Sequence, residues 1–234
     1  GTKGTGEKKT TADNGCEDCP QGKYLDQLGQ SQCKHCSAGR YSAQTGKQNA
    51  DECVDCTEGQ YQKDTGKASC NDCEKGNYQS EIGLAYCLPC VPGEYQDIAG
   101  TTSCKKCGVG QYTEEVKTAD KCKVCPTGWS SEAESAKCQS CEAGLYGDVV
   151  GEACKDCDVG QYRTNKMTDA TTCVGCPIGF SQSDQGQASC VKCSPGEFND
   201  VKGARQCKPC SSSTYFGKKG RNSTCIDCPK GWLS

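Results

Sequence analysis

What most constrains this chain is a cysteine period. All 26 cysteines fall in Cys-x-x-Cys pairs, which begin at Cys16, Cys33, Cys53, Cys70, Cys87, Cys104, Cys122, Cys138, Cys154, Cys173, Cys190, Cys207 and Cys225. Successive pairs start 16 to 20 residues apart, most often 17. A fixed period overrides any segment-by-segment assignment, because it marks one small structural unit used over and over. Three residues after the second cysteine stands Gly in twelve of the thirteen units, from Gly22 to Gly231, with Ser213 the exception. An aromatic ring follows at once, as in Tyr24, Tyr41, Tyr61, Tyr146 and Phe198, or as Trp129, Phe180 and Trp232. Six units add a second Gly four residues before the next pair, at Gly29, Gly66, Gly83, Gly100, Gly186 and Gly203. Gly tolerates positive φ, so the chain can turn after a cysteine and aim the ring back over the bridge as the unit's miniature core. The second Gly suits the return turn of a small hairpin. A row of ligand-binding tyrosines is the rival reading, but a fixed phase to cysteine favours packing.

Cysteine has to replace a conventional core here. Leu, Ile, Val and Phe together number 24 of 234 residues, too few to bury the apolar surface that folding normally needs. Cysteine at this density marks a disulfide scaffold in an oxidising compartment. Zinc ribbons also use tandem Cys-x-x-Cys pairs, yet they need the pairs grouped in twos, and these units are evenly spaced. The single histidine, His35, reads as filler on an exposed turn, and no pair is followed by His or set in a βαβ pattern. The expected fold is small and disulfide-rich, mostly irregular with short β-hairpins, a solenoid-like linear array of one-disulfide units.

Two regular pairings compete, a crossed pattern inside paired units and a ladder of successive loops. The ladder joins Cys19 to Cys33, Cys36 to Cys53, Cys56 to Cys70, Cys73 to Cys87, Cys90 to Cys104 and Cys107 to Cys122. It continues with Cys125 to Cys138, Cys141 to Cys154, Cys157 to Cys173, Cys176 to Cys190, Cys193 to Cys207 and Cys210 to Cys225. Each hairpin then has its own bridge, which accounts for the likeness of the units, and Cys16 and Cys228 await partners elsewhere. Closing one such loop removes about 3 kcal/mol of unfolded-state entropy in the chain model. If each unit touches only its neighbours, stability is local and the array linear. At roughly 10 Å per layer thirteen units make a rod of about 130 Å, against a radius of gyration near 17 Å for a compact globule.

Along the chain, residues 1–15 read as the tail of a preceding unit, 16–121 as six Cys-x-x-Cys units, and 225–234 as the start of a further, truncated one. Residues 122–224 carry a larger, three-unit period of 51 or 52 residues, marked by CP and then GW or GF from Cys122, Cys173 and Cys225. It fits either a docking mark for identical neighbours or descent by triplication. The chain reads as an interior piece of a secreted polypeptide whose signal has been removed. No apolar stretch is long enough to cross a bilayer, so no membrane contact is expected.

With 27 basic and 30 acidic residues interspersed and a net charge of −3, no basic face is expected for nucleic acid. One His, no nucleophile motif and no phosphate-cradling loop leave catalysis and cofactors without parts. Acidic turns such as Glu17 and Asp18 are candidate calcium positions, without EF-hand spacing. Asn222 heads an Asn-Ser-Thr sequon, an acceptor for a covalent glycan.

At CPQGKYLDQLGQSQC, CVPGEYQDIAGTTSC and CSPGEFNDVKGARQC the chain resembles the tandem cysteine-rich repeats called ephrin-receptor-like or growth-factor-receptor-like. The loop is similar to the single-bridge submodule of tumour-necrosis-factor-receptor domains, which implies closure as in the ladder, while the crossed-bridge submodules of those receptors are absent. Similar arrays occur in extracellular surface and flagellar-hair proteins of protists. The expectation is a non-enzymatic stalk, spacer or fibre subunit of a surface appendage or matrix, partnered by other copies of itself or other extracellular proteins. The alternative is an adhesive or ligand-binding receptor ectodomain, using the irregular loops Tyr41 to Glu52 and Arg163 to Thr172.

Overall fold

The structure, a computed structural model, describes residues 2–4, 16–114, 116, 120–212, 214–215, 225–228 and 230. Asn222, Ser213, Gly231, Trp232 and most of residues 1–15 lie outside the described residues. The repeated element is a two-residue hairpin. Lys23–Tyr24 pairs antiparallel with Lys34–His35, Tyr24 opposite Lys34 and Lys23 opposite His35. The pattern recurs to the end, where Thr214–Tyr215 pairs with Ile226–Asp227. In the disulfide-bridged hairpins the second strand is the dipeptide inside a Cys-x-x-Cys pair, so His35 lies exposed on a strand and not on a turn. Glu17 and Asp18 likewise lie on a strand, Cys16–Asp18, paired with Thr2–Gly4. Beyond the hairpins, the described residues hold one 3-10 turn, Ala50–Glu52, capped by the Asn49 side chain.

The chain divides into two compact bodies, Gly1–Cys107 with Thr113–Cys122, and Gly108–Tyr112 with Lys123–Ser234. In the first body the bridges are Cys19–Cys33, Cys36–Cys53, Cys56–Cys70, Cys73–Cys87, Cys90–Cys104 and Cys107–Cys122. In the second they are Cys125–Cys138, Cys141–Cys154, Cys157–Cys173, Cys176–Cys190, Cys193–Cys207 and Cys210–Cys225. Cys16 and Cys228 are free thiols.

Each body has a core unlike a hydrophobic one. The cysteines that open the loops from Cys19 to Cys193 are all buried, with Cys19, Cys56, Cys73, Cys90, Cys125, Cys157 and Cys176 fully covered. Their companion is the third residue after the turn glycine: Leu25, Ser42, Gln62, Gln79, Gln96 and Thr113 in the first body, Ser131, Arg163, Gln182 and Asn199 in the second. The aromatic rings are only half-buried, and Trp129 and Tyr215 are exposed. The miniature core is therefore sulfur plus a mostly polar side chain, and the rings are not part of its fully buried centre.

Candidate functional site

Among the described residues no three His, Cys, Asp or Glu side chains are placed to hold a metal ion, and no helix is long and apolar enough to cross a membrane. What recurs is the junction between successive loops. In the first body the Gly22 N–H donates to the Ser42 carbonyl at 2.8 Å, Gly39 to Gln62 at 2.7 Å and Gly59 to Gln79 at 2.7 Å. In the second, Gly144 donates to Arg163 at 2.7 Å, Gly160 to Gln182 at 2.7 Å and Gly179 to Asn199 at 2.9 Å. Return-turn glycines reach back to the opening cysteine of the preceding loop, Gly66 N–H to the Cys36 carbonyl at 2.9 Å and Gly83 to Cys56 at 2.8 Å. That cysteine's own N–H is already spent on the loop before, as Cys36 donates to Gly22 at 2.8 Å. Buried backbone groups are thereby paired across loops, as burial demands.

These bonds also bring every second loop into contact. Gly22 and Gly39 have φ of 75° and 82°, which alone favours glycine. A Cβ on either would in addition collide with the carbonyl oxygen of Gly66 or Gly83, two loops further on. Contact thus extends past nearest neighbours, against the simplest expectation for a linear repeat.

The buried polar column has a defined job. Gln79 Nε2 donates to the Tyr86 carbonyl at 2.8 Å and its Oε1 accepts from the Glu81 N–H at 3.0 Å. Gln62, Gln96 and Gln182 staple their loops in the same way. Asn199 spans further, from the Val201 carbonyl at 2.9 Å to Phe180 of the preceding loop at 2.7 Å. Such side chains carry no hydrophobic signal, and only their fixed offset from the turn glycine could have revealed them.

Arg163 is the extreme case, 2% exposed. Its Nη1 donates to the carbonyls of Cys141, Glu142 and Leu145 at 2.9, 3.0 and 3.1 Å, and its Nε to Asp169 at 3.1 Å. The loop Arg163 to Thr172 is thus irregular because it wraps its own anchor. Thr171 in turn donates from Oγ1 and N–H to Asp169, which holds that carboxyl below its ordinary pKa. The loop Tyr41 to Glu52 is also tied down: Glu52 accepts the Gln48 N–H at 2.7 Å and pairs with Lys47 at 3.3 Å. The Gln48 bond, then Lys47, hold its carboxyl below the usual range.

Surface charge follows the period. Asp26–Lys34, Asp97–Lys105, Asp148–Lys155 and Asp200–Lys208 pair at 2.7, 2.6, 2.9 and 3.0 Å across the hairpins. The lysine hydrogen bond lowers each aspartate's pKa, and its counterpart raises those of Lys34, Lys105 and Lys155. Such exposed pairs orient side chains and contribute little stability.

A disulfide scaffold of this density is typical of extracellular modules. No curated protein matches the chain. The family described as tyrosine-protein kinase ephrin type A/B receptor-like matches residues 6–53, 76–123 and 166–206, more than half of the length. With its one-bridge hairpins and glycine-led turns repeated through both bodies, the chain belongs to this ephrin-receptor-like repeat family.

Proposed function

We propose that the chain is a structural repeat of the cell exterior, a stalk, spacer or fibre subunit of a surface appendage or matrix. The observation that supports this most is the sameness of its junctions. A binding or catalytic module departs from its repeat where the ligand sits. Here the two irregular loops turn their polar groups onto their own scaffold, the buried Arg163 to four backbone carbonyls and the half-exposed Glu52 to its own turn. Loops held by backbone pairing and covalent bridges transmit load without depending on a large apolar core. Small-angle scattering from dilute, oxidised protein tests the reading. A rod of about 130 Å is expected, and a particle with a radius of gyration near 17 Å would overturn it.

A further inference from the structure

Two open clefts of the second body occupy equivalent places in the repeat. One, of 520 Å³, is bordered by Ser130, Gln139, Glu142, Leu145 and Cys154. The other, of 360 Å³, is bordered by Ser181, Val191, Ser194, Glu197 and Cys207. The borders correspond position by position. Ser130 and Ser181 lie opposite Gln139 and Val191 in their hairpins. Glu142 and Ser194 follow the opening cysteine of the next loop, Leu145 and Glu197 lie on its first strand, and Cys154 and Cys207 close it.

Elsewhere this strand position carries the ring. Tyr95 lies opposite Lys105 and Phe198 opposite Lys208, with the lysine nitrogens 6.0 and 5.9 Å from the ring centroids. In the two cleft units the ring comes one residue earlier, as Trp129 and Phe180, leaving serine in its place. Ser181 Oγ stands 3.2 Å from Cys207 Sγ, so a ring at this position would lie against that bridge. Adjacent strand residues point to opposite faces. The displaced ring therefore projects from the other side of the same hairpin, where Phe180 takes Lys192 at 5.7 Å and Trp129 is 45% exposed.

We propose that the clefts at Ser130 and Ser181 are sockets for a ring of a second copy of this chain, Trp129 foremost. Knob and hole arise together, because one shift of the ring by one position creates both. Every copy that has the vacancy thus carries the side chain that fits it, on the opposite face. Contacts of this kind are heterologous, and grow as an open filament where the rotation between copies does not close a ring. They suit lateral growth of a fibre, and so the inference rests on the structural reading above. A single buried ring covers about 150–250 Å², well below the ~1,000 Å² of a stable interface. Association is therefore weak at one socket and gains by engaging both at once.

The test is a concentration series on oxidised protein carrying Trp232→Phe, so that Trp129 is the sole indole, followed by sedimentation velocity and tryptophan emission. Self-association is expected to rise with concentration while Trp129 emission falls, as the indole comes against the Cys141–Cys154 or Cys193–Cys207 bridge. The double change Ser130→Tyr, Ser181→Tyr fills the sockets with the ring the other units carry, and is expected to abolish both effects. Trp129→Ser, followed by sedimentation alone, should also remove association. Unreduced mass mapping verifies the bridges in each variant, and the double change still decides the matter should Trp129→Ser misfold. Absence of self-association in the parent, or its persistence in the correctly bridged double variant, would refute the sockets. Dilute scattering separates the two readings: a rod that stays monomeric refutes only the sockets, whereas a compact monomer refutes the spacer.

Discussion

Replacing Gly39 by Ala isolates the close approach between alternate loops, with Gly29→Ala as its control. Both residues lie in the left-handed region, at φ of 82° and 79°. An L side chain there costs about 1–2 kcal/mol, partly offset by ~0.4–1 kcal/mol from a stiffer unfolded chain. The surroundings differ. A Cβ on Gly29 meets nothing within 4 Å, whereas one on Gly39 strikes the Gly83 carbonyl. Relief requires the turn at Gly83 to retreat. The bonds that then fail are Gly83 to Cys56 at 2.8 Å, Gln62 to Leu84 at 3.3 Å and Gly39 to Gln62 at 2.7 Å. At about 1 kcal/mol net for each backbone bond, the Gly39 variant loses ~3 kcal/mol beyond the shared backbone strain. A global melting curve is the wrong assay, because bridged repeats need not unfold in one step. Native-state amide exchange reads the local opening directly. With 1.4 kcal/mol to each tenfold, the Gly83 and Gln62 amides should exchange roughly a hundredfold faster in Gly39→Ala than in Gly29→Ala. Equal rates in the two variants would show that alternate loops do not lean on one another.

Three further outcomes follow from the described geometry. Gln79→Ala leaves the Tyr86 carbonyl and the Glu81 N–H without their partner, at a cost of about 1–3 kcal/mol. It should open the loop between Cys73 and Cys87 to proteolysis while its bridge stays intact. Arg163→Lys keeps the charge but not the fork that serves four carbonyls, and exchange protection in the 141–145 segment should fall about as much as for Gln79→Ala. The Asp–Lys pairs set the pH response. Their aspartates have lowered pKa values, so that contribution is present above the unfolded carboxylate pKa and fades as pH drops through the folded one; the raised lysines act below the unfolded lysine pKa and are lost as pH rises through the folded one. Loop opening measured by proteolysis should therefore be flat from about pH 5 to pH 9, and Asp97→Asn should leave that plateau where it is.

The one-bridge hairpin was legible in the cysteine spacing, because a loop of this length closed at a fixed interval leaves the backbone few arrangements. So was the left-handed turn three residues after the opening cysteines from Cys19 to Cys193, where Gly stands for a stereochemical reason. The core was not legible. Gln79, Asn199 and Arg163 look like surface residues, and amphipathic patterning cannot find a core made of sulfur and side-chain amides. His35 and Asp18 were placed on turns because a dipeptide between cysteines resembles one, yet cross-strand bonding makes it a strand.

The chain alone determines its covalent and local design, since period, turn glycines and ring positions act within a single loop. Tertiary structure decided what lies between loops. Which glycines must remain bare depends on groups two loops apart in the sequence, and which polar side chains are enclosed depends on the backbone of their own loop and of the loop before it. No pattern within one repeat records a distance to the next but one.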